Sequence, residues 1–147
     1  MEVLSKQNPL FTLYSCHAAL LVCKIIFVGF STSMVRVFKK VTPNPEDAKF
    51  MGTKPFIGDP TIERIRRAHR NDLENIPAFL FVSFLYVLTN PSYVVAKILF
   101  WSFTIARYSH TLVYAYLPIP QPARALSFAV GLIATFIMAI QVLFYFY

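Results

Sequence analysis

Four stretches of this chain are dominated by apolar residues, and charge punctuates them unevenly. Phe11 to Phe38 is broken only by Lys24 and ends in the basic run RVFKK. Asn75 to Leu88 is shorter and follows, with no turn signal, the charged run ERIRRAHRNDLE. Tyr93 to Leu117 carries Lys97, Arg107 and His110, and Ala123 to Tyr147 is almost uncharged after Arg124. At 1.5 Å rise per residue, a full-length helix over each stretch exceeds the roughly 30 Å of a bilayer core. The second stretch reaches that length only if the charged run belongs to the same helix. The pattern predicts helices over about 9–38, 62–89, 93–117 and 122–146, and hence an all-α, four-span membrane bundle formed as one domain.

The connections are legible. TPNPEDAKFMGTKPFIGDP has four prolines and two glycines and reads as an extended loop. TNPSY is a tight uncharged turn, and LPIPQPAR stops one helix and starts the next. Composition agrees with lipid as solvent: 56% of residues are hydrophobic and 14% charged, against about 45–50% and 25% in soluble domains. The net charge of +7 is clustered, with nine of fourteen Lys and Arg between Arg36 and Arg70. That clustering argues for membrane topology and an anionic ligand rather than nucleic acid. By the positive-inside rule, the first and third linkers face the cytosol and both termini face the other side. The N-terminal stretch lacks a basic leader region and is read as a retained span. Cys16 and Cys23, one heptad apart, would be about 10 Å apart on a helix, too far for a disulfide; they are read as packing residues. No metal-binding spacing is present.

The charged run holds the candidate chemistry. On one helix, Glu63, Arg67, Arg70, Asn71 and Glu74 share a face, with Arg64 and Asp72 elsewhere. The simpler reading is a solvated helix end with Glu63–Arg67 and Arg70–Glu74 pairs. Against it, the charges continue into a span, where ionisable groups usually face the bundle interior and mark a functional site. Arg107, His110, Thr111 and Tyr114 form a second stripe, on the third helix. Arg36, Arg67, Arg70, Arg107 and Arg124 are thereby expected at one side of the membrane. Such a cluster calls for an anion, and arginine suits bidentate carboxylate recognition. Glu74 and Asn71 offer partners for an ammonium and for amides. The implied ligand is small, net-negative and peptide-like.

With NPED before it and ARxxHTxxY and PxPQPxR after it, ERIRRAHRNDLENI resembles the membrane-associated proteins in eicosanoid and glutathione metabolism. Within that family the resemblance is strongest to the microsomal glutathione transferases. It covers about Arg36 to Arg124, and the four-span layout extends it to the whole chain. The resemblance implies a homotrimer binding glutathione between subunits, in the endoplasmic reticulum membrane and also the mitochondrial outer membrane. It implies glutathione contacts from Arg36, Arg67, Arg70, Asn71, Glu74, His110 and Tyr114, with Arg124 stabilising the thiolate. A free thiol has a pKa near 8.5, and a nearby guanidinium lowers it. The thiolate then attacks a hydrophobic electrophile or lipid hydroperoxide delivered from the bilayer. A glutathione-dependent prostaglandin isomerase and a non-catalytic membrane adaptor are the alternatives.

The chain departs from the family pattern at four points. Pro77 precedes Ala78 where the proline normally comes one residue later. One extra residue separates the first tyrosine from Arg124, so Tyr114 keeps the helical spacing from His110 while Tyr116 keeps the local context. Ala125 stands where prostaglandin E synthases carry serine, and Ala48 where some transferases have an oxidant-sensing cysteine. Of the remaining polar residues, Lys24 is read as holding the bundle or pairing in a trimer core, and His17 as packing. His69 is read as structural and bonding the loop. Asp47 is a candidate to hold Arg124, and Arg107 a supporting residue of the site.

Overall fold

In the computed structural model, which describes residues 3–147, the chain is all-α. Its elements are α1 (Pro9–Lys39), the short α2 (Pro45–Phe50), α3 (Pro60–Leu88), α4 (Tyr93–Thr111), a π turn (Leu112–Tyr116) and α5 (Ala123–Phe146). Local chemistry sets the ends. The Asn8 side chain accepts from Leu10 N and Pro9 occupies the first turn, where a missing N–H costs nothing. Asp59 caps α3 by accepting from Thr61 N and Ile62 N, again ahead of a proline. α1 stops at Lys40, in the left-handed conformation at φ 53°, with Arg36 and Lys39 in the last turn, where cations favour the helix dipole. α3 continues through Pro77, whose ring faces outward on an exposed position.

The four long helices pack as a diamond. α3 and α4 touch each other and both touch α1 and α5, whereas α1 and α5 do not meet. Phe79, Phe100, Phe103, Leu21, Ile76 and Met138 fill the centre. Phe79 stacks on Phe103 with ring centroids 3.7 Å apart and meets Phe100 edge-on. A second, smaller cluster of Val28, Ile65, Ala68 and Ala115 lies toward the charged end, with Val35 and Tyr114 packed against it.

α1 and α5 are long and apolar enough to cross a membrane by length and composition. Their outer faces expose Ile26, Phe27, Phe30, Ile133, Phe136 and Phe144, the pattern expected where lipid is the solvent. α3 is as long but charged through its first half, and α4 reaches about 28 Å before the π turn. Cys16 and Cys23 are free and exposed rather than packed within the protomer.

Candidate functional site

The polar side chains sort into a buried network at mid-height of α1 and α3 and an exposed arginine-lined face toward the end where α1 finishes and α3 begins. The network spans three helices. Asp72 of α3 is fully buried. Its Oδ1 accepts from Arg107 Nη2 at 2.7 Å, and its Oδ2 accepts from Thr111 Oγ1 at 3.0 Å and from Lys24 Nζ. Lys24 also donates to Thr111 Oγ1 at 2.7 Å. Arg107 Nη2 reaches a second acceptor, Asn71 Oδ1, at 2.7 Å. All four of Lys24, Asp72, Arg107 and Thr111 are buried. One carboxylate between two cations leaves a formal excess of one positive charge inside the protomer.

Two expectations are corrected here. Arg107 does not join the free arginines of the ligand side; its guanidinium turns inward because Asp72 neutralises it. Asp72, taken to lie away from the chemistry, is the centre of the network. The signal that would have found it is present in the sequence. Ile65, Ala68, Asp72, Ile76 and Phe79 follow one helical stripe and are all buried. A lone carboxylate on an apolar stripe needs a buried cation, and Lys24 and Arg107 are the basic residues within apolar runs whose stripes face it. Lys24 thereby holds the bundle, one of its two expected roles.

Above the network, Arg67, Arg70 and Glu74 are exposed on one face of α3, with the half-buried Asn71 at its edge. Among the described residues, none of Arg36, Arg67, Arg70 and Arg124 is in an ion pair. Glu63 pairs with Arg66 at 2.7 Å rather than with Arg67, and no Arg70–Glu74 pair forms. The Arg124 guanidinium sits 4.5 Å from the centroid of the Tyr114 ring, a cation–π contact that fixes its position without neutralising it. The Tyr114 ring meets His110 edge-on, with centroids 5.6 Å apart. The buried His110 Nδ1 and Arg107 Nε lack hydrogen-bond partners among the described residues. Buried polar atoms are rarely left so, and both lie beside the Arg124–Tyr114 pair or the network beneath it.

The choice between the tyrosines follows from the π turn. Leu117 N bonds to Leu112 O at 2.8 Å, an i to i+5 closure that takes one residue more than an α-turn. Tyr114 is left against His110 and Arg124. Tyr116 turns the other way, bonds Ser31 Oγ at 2.7 Å, and lines an apolar groove of about 490 Å³ with Phe27, Tyr108 and Leu112.

Arg36, half-buried, borders a narrow cleft with Asp59, Glu63 and Arg66. It is not brought to Arg124, because α1 and α5 do not touch within the protomer. Within the protomer Asp47 does not pair with Arg124 either: it accepts from Asn44 Nδ2 at 2.9 Å at α2's own N-terminus. His69 packs on α1 rather than bonding the loop; its ring lies 3.4 Å from where a Cβ on Gly29 would stand. His17 bonds Thr104 at 2.8 Å between α1 and α4, with Trp101 edge-on at 4.8 Å.

The chain is thus all-α, with two helices long and apolar enough to cross a membrane, an ion network bridging three helices and an arginine-rich end. The MAPEG family model matches residues 14–144, and the chain belongs to that family. Among its relatives, Microsomal glutathione S-transferase 1 of Bos taurus is 39% identical over 142 residues, covering 93% of this chain and 91% of the relative. The Homo sapiens protein of the same name is 40% identical over 142 residues, with the same coverage. Prostaglandin E synthase of Homo sapiens is 36% identical over 138 residues, covering 93% of this chain and 90% of that protein.

Proposed function

We propose that this protein is a membrane glutathione transferase that conjugates the glutathione thiolate to hydrophobic electrophiles and reduces lipid hydroperoxides with the same thiol. The observation that carries the reading is the uncompensated Arg124 guanidinium, held over Tyr114 beside His110. A fixed cation without a counter-ion stabilises a thiolate brought to it and lowers the thiol pKa toward neutrality. Arg67 and Arg70 serve the carboxylates of the tripeptide, Glu74 its ammonium, and Asn71 an amide or carboxylate. No side-chain nucleophile is required, because glutathione supplies the sulfur. The attack forms a carbon–sulfur bond and expels the electrophile's leaving group. With a hydroperoxide, two glutathione molecules are oxidised to the disulfide, and the peroxide is reduced to an alcohol and water.

The reading includes four membrane spans, with the first and third linkers cytosolic, in the endoplasmic reticulum and the mitochondrial outer membrane. It also includes a homotrimer. Arg36 and Arg124 lie on helices that do not touch within a protomer, which supports a site completed by Arg36 of a neighbouring copy. A prostaglandin E synthase relative at 39% identity favours a second reading, a glutathione-dependent isomerase of a prostaglandin endoperoxide. Ala125, which has no hydroxyl, weighs toward the transferase.

The test is glutathione-dependent conjugation of 1-chloro-2,4-dinitrobenzene by the purified protein. Arg124→Ala is expected to lower the rate at least about 100-fold, the scale of a lost oxyanion-type donor. Arg70→Ala is expected to raise KM for glutathione. Wild-type rates in both variants would remove the site assignment, and turnover of the endoperoxide instead of the chloronitrobenzene would favour the isomerase.

A further inference from the structure

The buried network ends on a residue of the proposed site, and its chemistry fixes how that residue faces a ligand. A guanidinium has five N–H donors and no acceptor. Arg107 Nη2 stands 2.7 Å from the Asn71 carboxamide, so the amide oxygen must be the atom that meets it. The Asn71 NH₂ is therefore turned away from Arg107. Among the described residues it donates to nothing within the protomer; apart from the helix's backbone ladder, the other bond at Asn71 is from Asn75 Nδ2 to the backbone oxygen.

Arg107 is in turn unable to swing aside. It is buried, and the same Nη2 is tied to Asp72 Oδ1 at 2.7 Å. Asp72 is held from its other oxygen by Lys24 and Thr111. Lys24 of α1 and Thr111 and Arg107 of α4 all donate to Asp72 on α3, and Arg107 donates in addition to Asn71 on α3.

The geometry points to Asp72 and Arg107 as positioning residues that lock the Asn71 carboxamide with its NH₂ presented to an anionic or carbonyl oxygen of glutathione. This inference rests on the glutathione reading above and adds to it the donor that Asn71 supplies and the two buried residues that aim it. An asparagine free to rotate its amide would present oxygen and nitrogen alternately. A locked one loses no rotamer freedom on binding, which strengthens the bond it makes. Arginine is needed at 107 because a planar fork can serve two acceptors at fixed angles, whereas an ammonium is a point charge on a flexible stem.

The experiment measures glutathione affinity by calorimetry, and KM and kcat by conjugation, on the detergent-purified full chain, with thermal unfolding alongside. Asn71→Asp keeps an oxygen for Arg107 but replaces the donor by a carboxylate. It is expected to weaken glutathione binding about tenfold or more without lowering the unfolding temperature. Arg107→Lys is expected to raise KM for glutathione about tenfold with little change in kcat at saturation. In an Asn71→Ala background the same substitution is expected to cost no further affinity, because the residue it positions is gone. Two results would overturn the inference: unchanged affinity in Asn71→Asp, or losses from Arg107→Lys and Asn71→Ala that simply multiply. If Arg107→Lys does not fold, Asn71→Asp decides alone. A wild-type protein that binds no glutathione would remove the transferase reading itself and this inference with it, whereas wild-type binding with an indifferent Asn71→Asp removes the positioning role alone.

Discussion

Asp72 shows what a single residue contributes when its surroundings supply every partner. Its two oxygens accept three hydrogen bonds from Lys24, Arg107 and Thr111, all of them buried. Burying charge is costly, and the cost is offset only while each group keeps its partner. Asp72→Asn keeps the shape, removes the negative charge and leaves two cations facing an amide. It is expected to destabilise the fold by about 3–5 kcal/mol, the range for breaking a buried pair from one side. Thermal or denaturant unfolding in detergent measures this; a change below about 1 kcal/mol would mean that the network is dispensable. Residue-scale legibility was partial. Helical spacing found the Arg67, Arg70 and Glu74 face, since exposure follows from one helix alone. It missed Asp72 and misassigned Arg107, because their partners are 35 or more residues away in sequence and pairing depends on how helices dock.

Among the elements, the start of α3 is clamped to the end of α1. Lys39 Nζ donates to both oxygens of Asp59 at 3.0 Å and to Thr61 Oγ1 at 2.9 Å. The Ile62 backbone N–H, and after it the Lys39 ammonium, hold the Asp59 carboxyl below its ordinary value. A carboxyl depressed in the folded protein stabilises it fully above the unfolded value, and that contribution fades as pH falls through the lower folded value. Limited proteolysis of the 40–59 linker is therefore expected to accelerate as pH drops below about 4. In Asp59→Asn, which retains a capping oxygen but does not titrate, the rate should be flat over that window. A wild-type profile as flat as the variant's would rule out the clamp.

The starts of α1 and α3 carry a signal that the apolar spacing passed over, a capping side chain followed by a proline in the first turn at Asn8-Pro9 and Asp59-Pro60, and that chemistry was present in the sequence. The π turn was not. Whether a turn closes at i+4 or i+5 depends on what packs beneath it, here Ala115 against Ile65 and Ala68. That turn decides that Tyr114, and not Tyr116, meets Arg124. Pro77 was legible as a proline displaced by one residue, and α3 runs through it with the core side chains Ile76 and Phe79 seated on either side.

For the whole molecule, the layout of long helices and linkers was written in the apolar runs, because lipid-facing surface leaves a compositional trace. The relation of α1 to α5 was not, since either order around the diamond buries the same stripes. The three-helix network also has a consequence for the order in which the chain is made. Lys24 sits mid-way along α1 and reaches its counter-ion only on α3. On the proposed four-span reading α1 reaches the bilayer before α3, so for a time a lysine stands in hydrocarbon with no carboxylate. An isolated mid-span lysine costs about 2.5–3.5 kcal/mol on insertion scales, which the apolar length of α1 must outweigh until Asp72 arrives. A nascent chain truncated before α3 is expected to insert less completely than its Lys24→Leu counterpart. Extension through α3 should narrow that difference, as read by glycan-tagged insertion assays. Equal insertion at the shorter length would show that α1 commits to the membrane without waiting for its partner.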